Sequence, residues 1–286
     1  MQEFVAACVQ LRSGRSVEEN LDVAERLICS AAEKGARYIQ TPEMTNVLVR
    51  SREELFDRIA PEEDDPFVRA FARLAKRLGI YLHAGSLAIR AGEARAVNRA
   101  FVFGPGGETL ARYDKIHMFD VDLPDGESWR ESATYNPGEC AILVDLPLMK
   151  LGLGICYDVR FPDLFRAQAL HGAQVLTAPA AFTRQTGKAH WHVLQRARAI
   201  ENGAFMISAA QGGQHEDGRQ TFGHSVIVDP WGQICAECDN GEPGFITAAI
   251  DLKMVGKARR SIPNLSNTRP FTMKNVAVAR PEELTS

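Results

Sequence analysis

A thiol, a carboxylate and an ammonium stand at three places along this chain where elements end, and together they could cleave an amide. Cys156 ends the apolar run Leu151-Gly-Leu-Gly-Ile155 and is followed at once by Tyr157-Asp158-Val159-Arg160-Phe161-Pro162. A buried strand that stops at a cysteine, turns sharply and opens a helix at a proline presents the sulfur at the carboxyl edge of a sheet. That is where α/β enzymes keep their nucleophiles. Glu43 follows a β-like segment, 37–40, that runs into Pro42. Lys115 lies in a polar turn flanked by aromatic residues, Arg112-Tyr113-Asp114-Lys115-Ile116-His117-Met118-Phe119. In such a set Glu43 takes the thiol proton and later activates water, and Cys156 attacks the carbonyl. Lys115 steadies the thiolate and the developing oxyanion. Each residue alone has a plainer reading, as a structural thiol, a surface carboxylate and a surface lysine. The combination points to an enzyme.

Positioning these groups requires a succession of strands and helices. Residues 4–10 read as a first strand. Ser16-x-x-Glu19 is a capping box for a helix whose apolar face runs Leu21, Ala24, Leu27, Ile28, Ala31 and which closes at Gly35. The strand 37–40 then delivers Glu43. A helix over 66–78 and strands over 80–84, 98–103 and 109–113 follow, the last two joined by the turn Gly104-Pro105-Gly106-Gly107. The second half repeats the theme without repeating the sequence. Strands are expected over 141–146, 151–155, 174–178, 204–209, 224–228, 234–238 and 245–250. Helices are expected from Pro162 to a stop at Gly172, over 188–202 ending at Gly203, and over 252–261. No linker or shift of composition divides the chain, so the expectation is one domain over 1–286, with a core to about 271 and a tail over 272–286. Strand-rich halves with amphipathic helices on one face of each sheet call for sheets stacked face to face, helices outside. Composition alone does not separate that arrangement from a three-layer fold.

An apolar content of 45% supports a sizeable core, and a net charge of -3 gives no reason to expect nucleic acid or membrane partners. The N-terminus lacks the basic n-region of a signal peptide and no stretch is long and apolar enough to span a membrane, so cytoplasm is expected. Six cysteines in this length do not form a disulfide framework. Cys235-Ala-Glu-Cys238 reads as part of a strand, where residues three apart point to opposite faces. In His190-Trp191-His192 the imidazoles diverge by about 200° on a helix. Neither metal nor cofactor is expected.

Tyr113-Asp-Lys-Ile-His117 and Gly154-Ile-Cys-Tyr-Asp-Val-Arg-Phe-Pro162, with the segment around Glu43, resemble the nitrilase (carbon–nitrogen hydrolase) superfamily. The resemblance runs from the first strand to about Phe271. It implies an α/β four-layer αββα sandwich, a Glu-Lys-Cys triad in this order, no cofactor, and homodimers or larger assemblies through helices flanking Cys156 and near the C-terminus. It also implies a second glutamate between lysine and cysteine, carried here to Glu131, with Glu127 as a competitor four residues earlier. The N–H of Tyr157 is the natural partner of Lys115 in an oxyanion hole. Arg160 either pairs with Asp158 to stiffen the turn or faces the pocket and grips a substrate carboxylate; both readings stand. The segment 178–183 lines a pocket wall, with Phe182 as its apolar face and Thr183 beside it, and Arg184 is a second candidate for the carboxylate.

Lys115-Ile-His-Met-Phe-Asp-Val-Asp-Leu-Pro124, Ala189-His-Trp191 and Gly223-His-Ser-Val-Ile-Val-Asp-Pro-Trp-Gly232 are similar to the Nit-type amidases, which act on ω-amides of dicarboxylic keto acids. Ala209-Ala-Gln211, His215-Glu216 and 158–162 resemble the deaminated-glutathione branch of that group. The expected substrate is therefore a small-molecule amide of a 2-oxo dicarboxylic acid, cleaved to 2-oxoglutarate and Cys-Gly. The alternatives are plain ω-amidase action on 2-oxoglutaramate or 2-oxosuccinamate, or another aliphatic amidase or N-carbamoyl hydrolase. Outside the family stand an isochorismatase-like amidase, for which only the mid-helix Asp22 could serve as acid, and a scaffold without activity.

Overall fold

The computed structural model describes residues 3–123, 126 and 128–276; Glu127 and residues 277–286 of the expected tail lie outside it. The strands in chain order are β1 (Glu3–Gln10), β2 (Ala36–Gln40), β3 (Tyr81–Arg90), β4 (Ala96–Phe103), β5 (Thr109–Asp114), β6 (Asp120–Asp122), β7 (Ser128–Arg130) and β8 (Tyr135–Asn136). They continue with β9 (Leu143–Asp145), β10 (Lys150–Gly152), β11 (Val175–Thr177), β12 (Phe205–Ser208), β13 (Gly212–Gln214), β14 (Gln220–Phe222), β15 (Val226–Val228), β16 (Ile234–Glu237) and β17 (Gly244–Asp251). The helices are α1 (Val17–Glu33), α2 (Arg52–Phe56), α3 (Pro66–Leu78), α4 (Pro162–Leu170), α5 (Arg184–Asn202) and α6 (Lys253–Ser261).

Local chemistry sets the helix ends. Ser16 caps α1 by accepting from the Glu19 N–H, and Asp65 caps α3 ahead of Pro66. Gly79 and Gly203 close α3 and α5 in the left-handed conformation.

One sheet has the order β17-β1-β2-β3-β4-β5, with β8 beside β4; the other has the order β16-β15-β12-β11-β10-β9. Starting from β17 and from β9, both follow one pattern: antiparallel, parallel, parallel, antiparallel, antiparallel. The two halves are thus alike in topology though not in sequence. Alternation along β1 shows the layering. Ala7, Val9 and Leu11 pack with Ala24 and Ile28 of α1 and Phe67 and Phe71 of α3. Phe4, Ala6 and Cys8 turn the other way, into a core shared with Leu151, Val175, Phe205 and Val226 of the second sheet. Helices α4 and α5 cover that sheet's far side. The result is the αββα sandwich. No helix among the described residues is long and apolar enough to cross a membrane.

Three expectations need correction. The strand placed at 80–84 runs from Tyr81 to Arg90, because its pairing with β4 resumes at Leu87 after the register shift. The strand placed at 151–155 is only Lys150–Gly152, because the Cys156 N–H leaves the sheet to bond the Pro179 carbonyl at 2.9 Å. Helix α5 begins at Arg184 rather than 188, because the Thr183 hydroxyl caps it by accepting from the Thr186 N–H and the Gly187 N–H closes on the Thr183 carbonyl. The hairpins β6–β7 and β13–β14 and the short helix α2 escape sequence reading. Their three- to five-residue elements are too short to show a period.

Where the sheets meet above the site, Gly85 lies at a register shift of β3. A Cβ there would stand 1.9 Å from the Thr41 carbonyl oxygen and 2.6 Å from the Pro179 side chain. Both neighbours belong to the loops that carry catalytic candidates. Gly85→Ala should therefore cost at least the roughly 1–3 kcal/mol of an overpacked core and displace Glu43. Thermal unfolding and hydrolysis measured together test this. A variant with unchanged melting and full activity would show that the two loops can part freely.

Candidate active site

The segments that follow β2, β5, β7 and β10 bring three charged groups and a thiol together: Glu43, Lys115, Glu131 and Cys156. Lys115 Nζ bonds Glu43 Oε1 at 2.9 Å and Glu131 Oε1 and Oε2 at 3.0 and 2.8 Å. The lysine side chain is 2% exposed, Glu43 6% and Glu131 11%. Asn98 of β4 donates to both carboxylates, at 2.9 and 3.2 Å. The Ala181 N–H holds the other Glu43 oxygen at 2.9 Å, and the Phe119 N–H holds Glu131 at 2.7 Å. The Cys156 thiol completes the cluster, close enough for the Glu43 charge to act on it.

Cys156 has a φ of 48°, in the left-handed region that an L-residue enters at a cost. It opens a single 3₁₀ turn, Cys156–Arg160, whose first N–H groups, that of Tyr157 among them, have no acceptor within the turn. Asp158 ties this turn to the lysine loop. It accepts from Tyr113 Oη (2.7 Å), the His117 N–H (3.0 Å) and the Ile155 N–H (2.8 Å), and its Oδ1 lies 2.7 Å from His117 Nδ1. Tyr113 and His117 each stand two residues from Lys115. The two sequence motifs are therefore two sides of one hydrogen-bonded joint.

Asp158 is thus fully engaged, and the pairing considered for it with Arg160 is not what forms. Arg160 faces the pocket, its guanidinium over the rings of Phe182 (5.1 Å) and Tyr157 (5.9 Å). Phe182 and Thr183 also line the pocket. Arg184 does not: it is exposed and bonds Gln220 at 3.1 Å, because the helix that starts with it turns it outward. Gln211 and His215 prove to be braces. Gln211 donates to the Glu43 and Met44 carbonyls, and His215 Nδ1 lies 2.9 Å from the Ser13 carbonyl oxygen.

The cavity above the cluster measures about 380 Å³, within the usual range for small-molecule sites. Its walls include Arg50, Trp129, Tyr135 and Arg219, which sequence reading missed. They come from the irregular stretch after Glu43, from the two short hairpins and, for Tyr135, from the two-residue strand β8, where no periodicity betrays them.

Electrostatics divides the roles of the acids and the thiol. Burial pushes the Glu43 carboxyl up, but the Lys115 ammonium and the hydrogen bonds from Cys156, Lys115 and Asn98 together outweigh it and hold the group below its ordinary value. Burial and the Glu43 charge push the Cys156 thiol up, against the pull of Lys115. Burial opposes the charge on Lys115, yet Glu131 and Glu43 hold it well above the ordinary lysine value. The resting site is a thiol beside a carboxylate, with the lysine charged.

Away from this pocket, His192, His224 and Glu237 each place one ligand atom within 4.8 Å of the others, the one such grouping among the described residues. The histidine partner of His192 is therefore His224 and not His190. Glu237 Oε1 lies 2.7 Å from His192 Nε2 and 2.6 Å from His224 Nδ1. The cysteines are free, Cys235 and Cys238 included.

A sandwich of two such sheets with a thiol, two carboxylates and a lysine in its cleft defines an α/β cysteine hydrolase. The chain belongs to the carbon–nitrogen hydrolase family, whose sequence pattern matches residues 5–260, and it is a hydrolase of non-peptide carbon–nitrogen bonds. It is 41% identical over 273 residues to the deaminated glutathione amidase of Synechocystis, covering 93% of this chain and 98% of that one. It is 36% identical to the omega-amidase NIT2 of Xenopus tropicalis, covering 92% and 94%. The crystal structure of the Caenorhabditis elegans NitFhit protein superposes with a TM-score of 0.88 at 36% identity, over 94% of this chain and 66% of that longer one.

A carboxyl held down by one buried ammonium must rise when that ammonium goes. In wild type the Glu43 carboxyl should titrate below 4.5, the ordinary glutamate value, and the stability it contributes should be lost only as pH falls through that lower midpoint. In Lys115→Met burial is left without the charge that chiefly opposes it, and the midpoint should rise. Carbon-13 NMR of labelled glutamate reads both. An unmoved midpoint would mean that Asn98 and the Ala181 N–H hold the charge without the lysine.

Proposed function

We propose that this hydrolase is a thiol-dependent amidase acting through a Cys156 thioester, and that its substrate is a linear amide of a 2-oxo dicarboxylic acid, foremost deaminated glutathione. The observation that carries the mechanism is the buried Lys115 ammonium bonded to both Glu43 and Glu131 in the pocket that Cys156 lines, with the thiol pushed up by burial and by the Glu43 charge. The two carboxylates and one ammonium already sum to one negative charge, so a standing thiolate would add a second in a buried site. The proton therefore passes to Glu43 only as sulfur bonds the carbonyl carbon. Lys115 has three donors and three contacts, one to Glu43 and one to each oxygen of Glu131. One donor, turned from Glu131, meets the oxyanion together with the Tyr157 N–H. Glu43 then protonates the departing nitrogen, the C–N bond breaks, and a thioester remains. Water that loses a proton to Glu43 attacks the thioester and releases acid and thiol. Glu131 keeps the ammonium in place, and Asn98 sets the two carboxylates apart.

Arg160 supports the choice of a 2-oxo acid. Its guanidinium stands in the wall next to Cys156, where the acyl part of the substrate would lie, and a carboxylate there would be gripped in bidentate fashion. The names borne by the relatives support the same substrate class. The identity to an omega-amidase keeps ω-amide hydrolysis of 2-oxoglutaramate as the second reading.

The match over 5–260 supports reading 1–286 as one catalytic domain. The resemblance supports a cytoplasmic homodimer or larger assembly. Leu170 of α4, Val193 and Ile200 of α5 and Ile262 beyond α6 are exposed on the helices expected to join copies. Sedimentation would read the assembly.

Hydrolysis of deaminated glutathione, 2-oxoglutaramate, glutamine and a simple nitrile, side by side, tests the proposal. Deaminated glutathione should be cleaved most efficiently. Cys156→Ala should abolish turnover while leaving melting within a few degrees, and wild type should trap an acyl adduct with a slow substrate. Turnover by Cys156→Ala would overturn the mechanism. Higher efficiency on 2-oxoglutaramate would move the assignment to ω-amidase.

A further inference from the structure

The pocket carries a second buried guanidinium that the acyl half of the substrate does not use. Arg219 immediately precedes β14 and lies in the pocket wall with its side chain 15% exposed. It stacks over the Trp129 ring at 4.5 Å. Among the described residues its Nε is buried with no hydrogen-bond partner, Nη2 reaches the Val49 carbonyl at 3.4 Å, the far end of hydrogen-bond range, and Asp217 Oδ2 stands 3.4 Å away as an ion pair without a hydrogen bond. Asp217 Oδ2 itself has no hydrogen-bond partner. A buried guanidinium this poorly matched is costly unless an anion completes it. Burial works against its charge, with Asp217 the main support.

The two arginines stand on different walls. Arg160 interacts with Cys156 and Tyr157, whereas Arg219 has Arg50, Tyr135 and Glu43 as its electrostatic neighbours besides Asp217. This matters because, on the mechanism proposed above, Glu43 is the group that hands its proton to the departing nitrogen. As the C–N bond breaks, that nitrogen must lie on the Glu43 side and the acyl carbon against Cys156. Whatever is attached to the nitrogen then extends past Glu43, along Tyr135 and Trp129, toward Arg219.

We propose that Arg219 is a carboxylate-binding subsite for the leaving amine, so that the enzyme selects amides whose amine half carries its own carboxylate. This rests on the reading of the enzyme as a thioester-forming amidase, and it adds a second anionic anchor on the other side of the bond that is cut. The hairpin is held for this role at its base, where Thr221 bridges to Thr183 at the start of α5.

The test compares three substrates that share one acyl group: deaminated glutathione, the same molecule with its terminal carboxylate converted to a carboxamide, and 2-oxoglutaramate. Wild type should prefer the carboxylate over the carboxamide by at least tenfold in kcat/KM, chiefly through KM. Arg219→Met should lose at least tenfold more on the carboxylate than on the carboxamide, and Arg219→Lys should keep part of the preference. Wild type that hydrolyses both equally would overturn the subsite while leaving the amidase reading intact, and needs no variant to fold. Equal losses by Arg219→Met on all three substrates would make the residue a structural part of the hairpin and overturn it as well. Failure of wild type on every one of the three would overturn the amidase reading, and the subsite with it.

Discussion

One ammonium holds two carboxylates together in a place that water scarcely reaches. Without Lys115, Glu43 and Glu131 would be like charges sharing Asn98 as a donor, and burial would drive protons onto them. With it, both carboxylates sit in one fixed geometry, and the thiol beside them faces a base that is ionised at rest. Replacing a buried charge cluster by apolar side chains often stabilises a protein, so such a cluster is poor evidence for stability. Here it is better understood as an arrangement whose cost is borne for chemistry. The surrounding fold is what makes that cost tolerable, by supplying N–H donors from Ala181 and Phe119 to the remaining oxygens.

The layered architecture follows from the same need for convergence. Each sheet has a parallel centre, and a parallel centre directs the loops after its strands to one edge. Stacking two such sheets brings the edge of one against the edge of the other, so that Glu43 leaves one layer and Cys156 the other. The loops then cross-brace. Gln40 accepts from the Ala209 N–H at 2.7 Å, and Gln211 donates back to the Glu43 carbonyl at 3.0 Å. Asp158 adds a third brace between the thiol turn and the lysine loop. Geometry at the thiol is thus determined by contacts from several separate stretches of chain.

What could be read beforehand was what depends on local pattern. The capped helices α1 and α3, the Gly-rich turn before β5 and the strand end at Gln40 carry their own signals in a few neighbouring residues. The meeting of Glu43, Lys115 and Cys156 was legible for another reason, since a carboxylate, a lysine and a thiol at three element ends make sense only together. Arg184 misled because its distance from Phe182 in sequence was short while the start of α5 turned it to solvent. Arg219 and Trp129 were invisible because hairpins of three-residue strands have no period, and their proximity exists only after both hairpins dock. The choice between the two readings of Arg160 could not be made from sequence, because Asp158's partners Tyr113 and His117 are near it only in space.

A sulfur that keeps its proton at rest has a consequence for how this enzyme ages. Peroxide and alkylating electrophiles attack the thiolate, and cysteines with depressed pKa values are the ones that pass to sulfenic and sulfinic acids. Cys156 has its pKa raised by burial and by the neighbouring carboxylate, which disfavours the thiolate that such oxidants attack. The surroundings that set Glu43 beside the sulfur thus also oppose its oxidation.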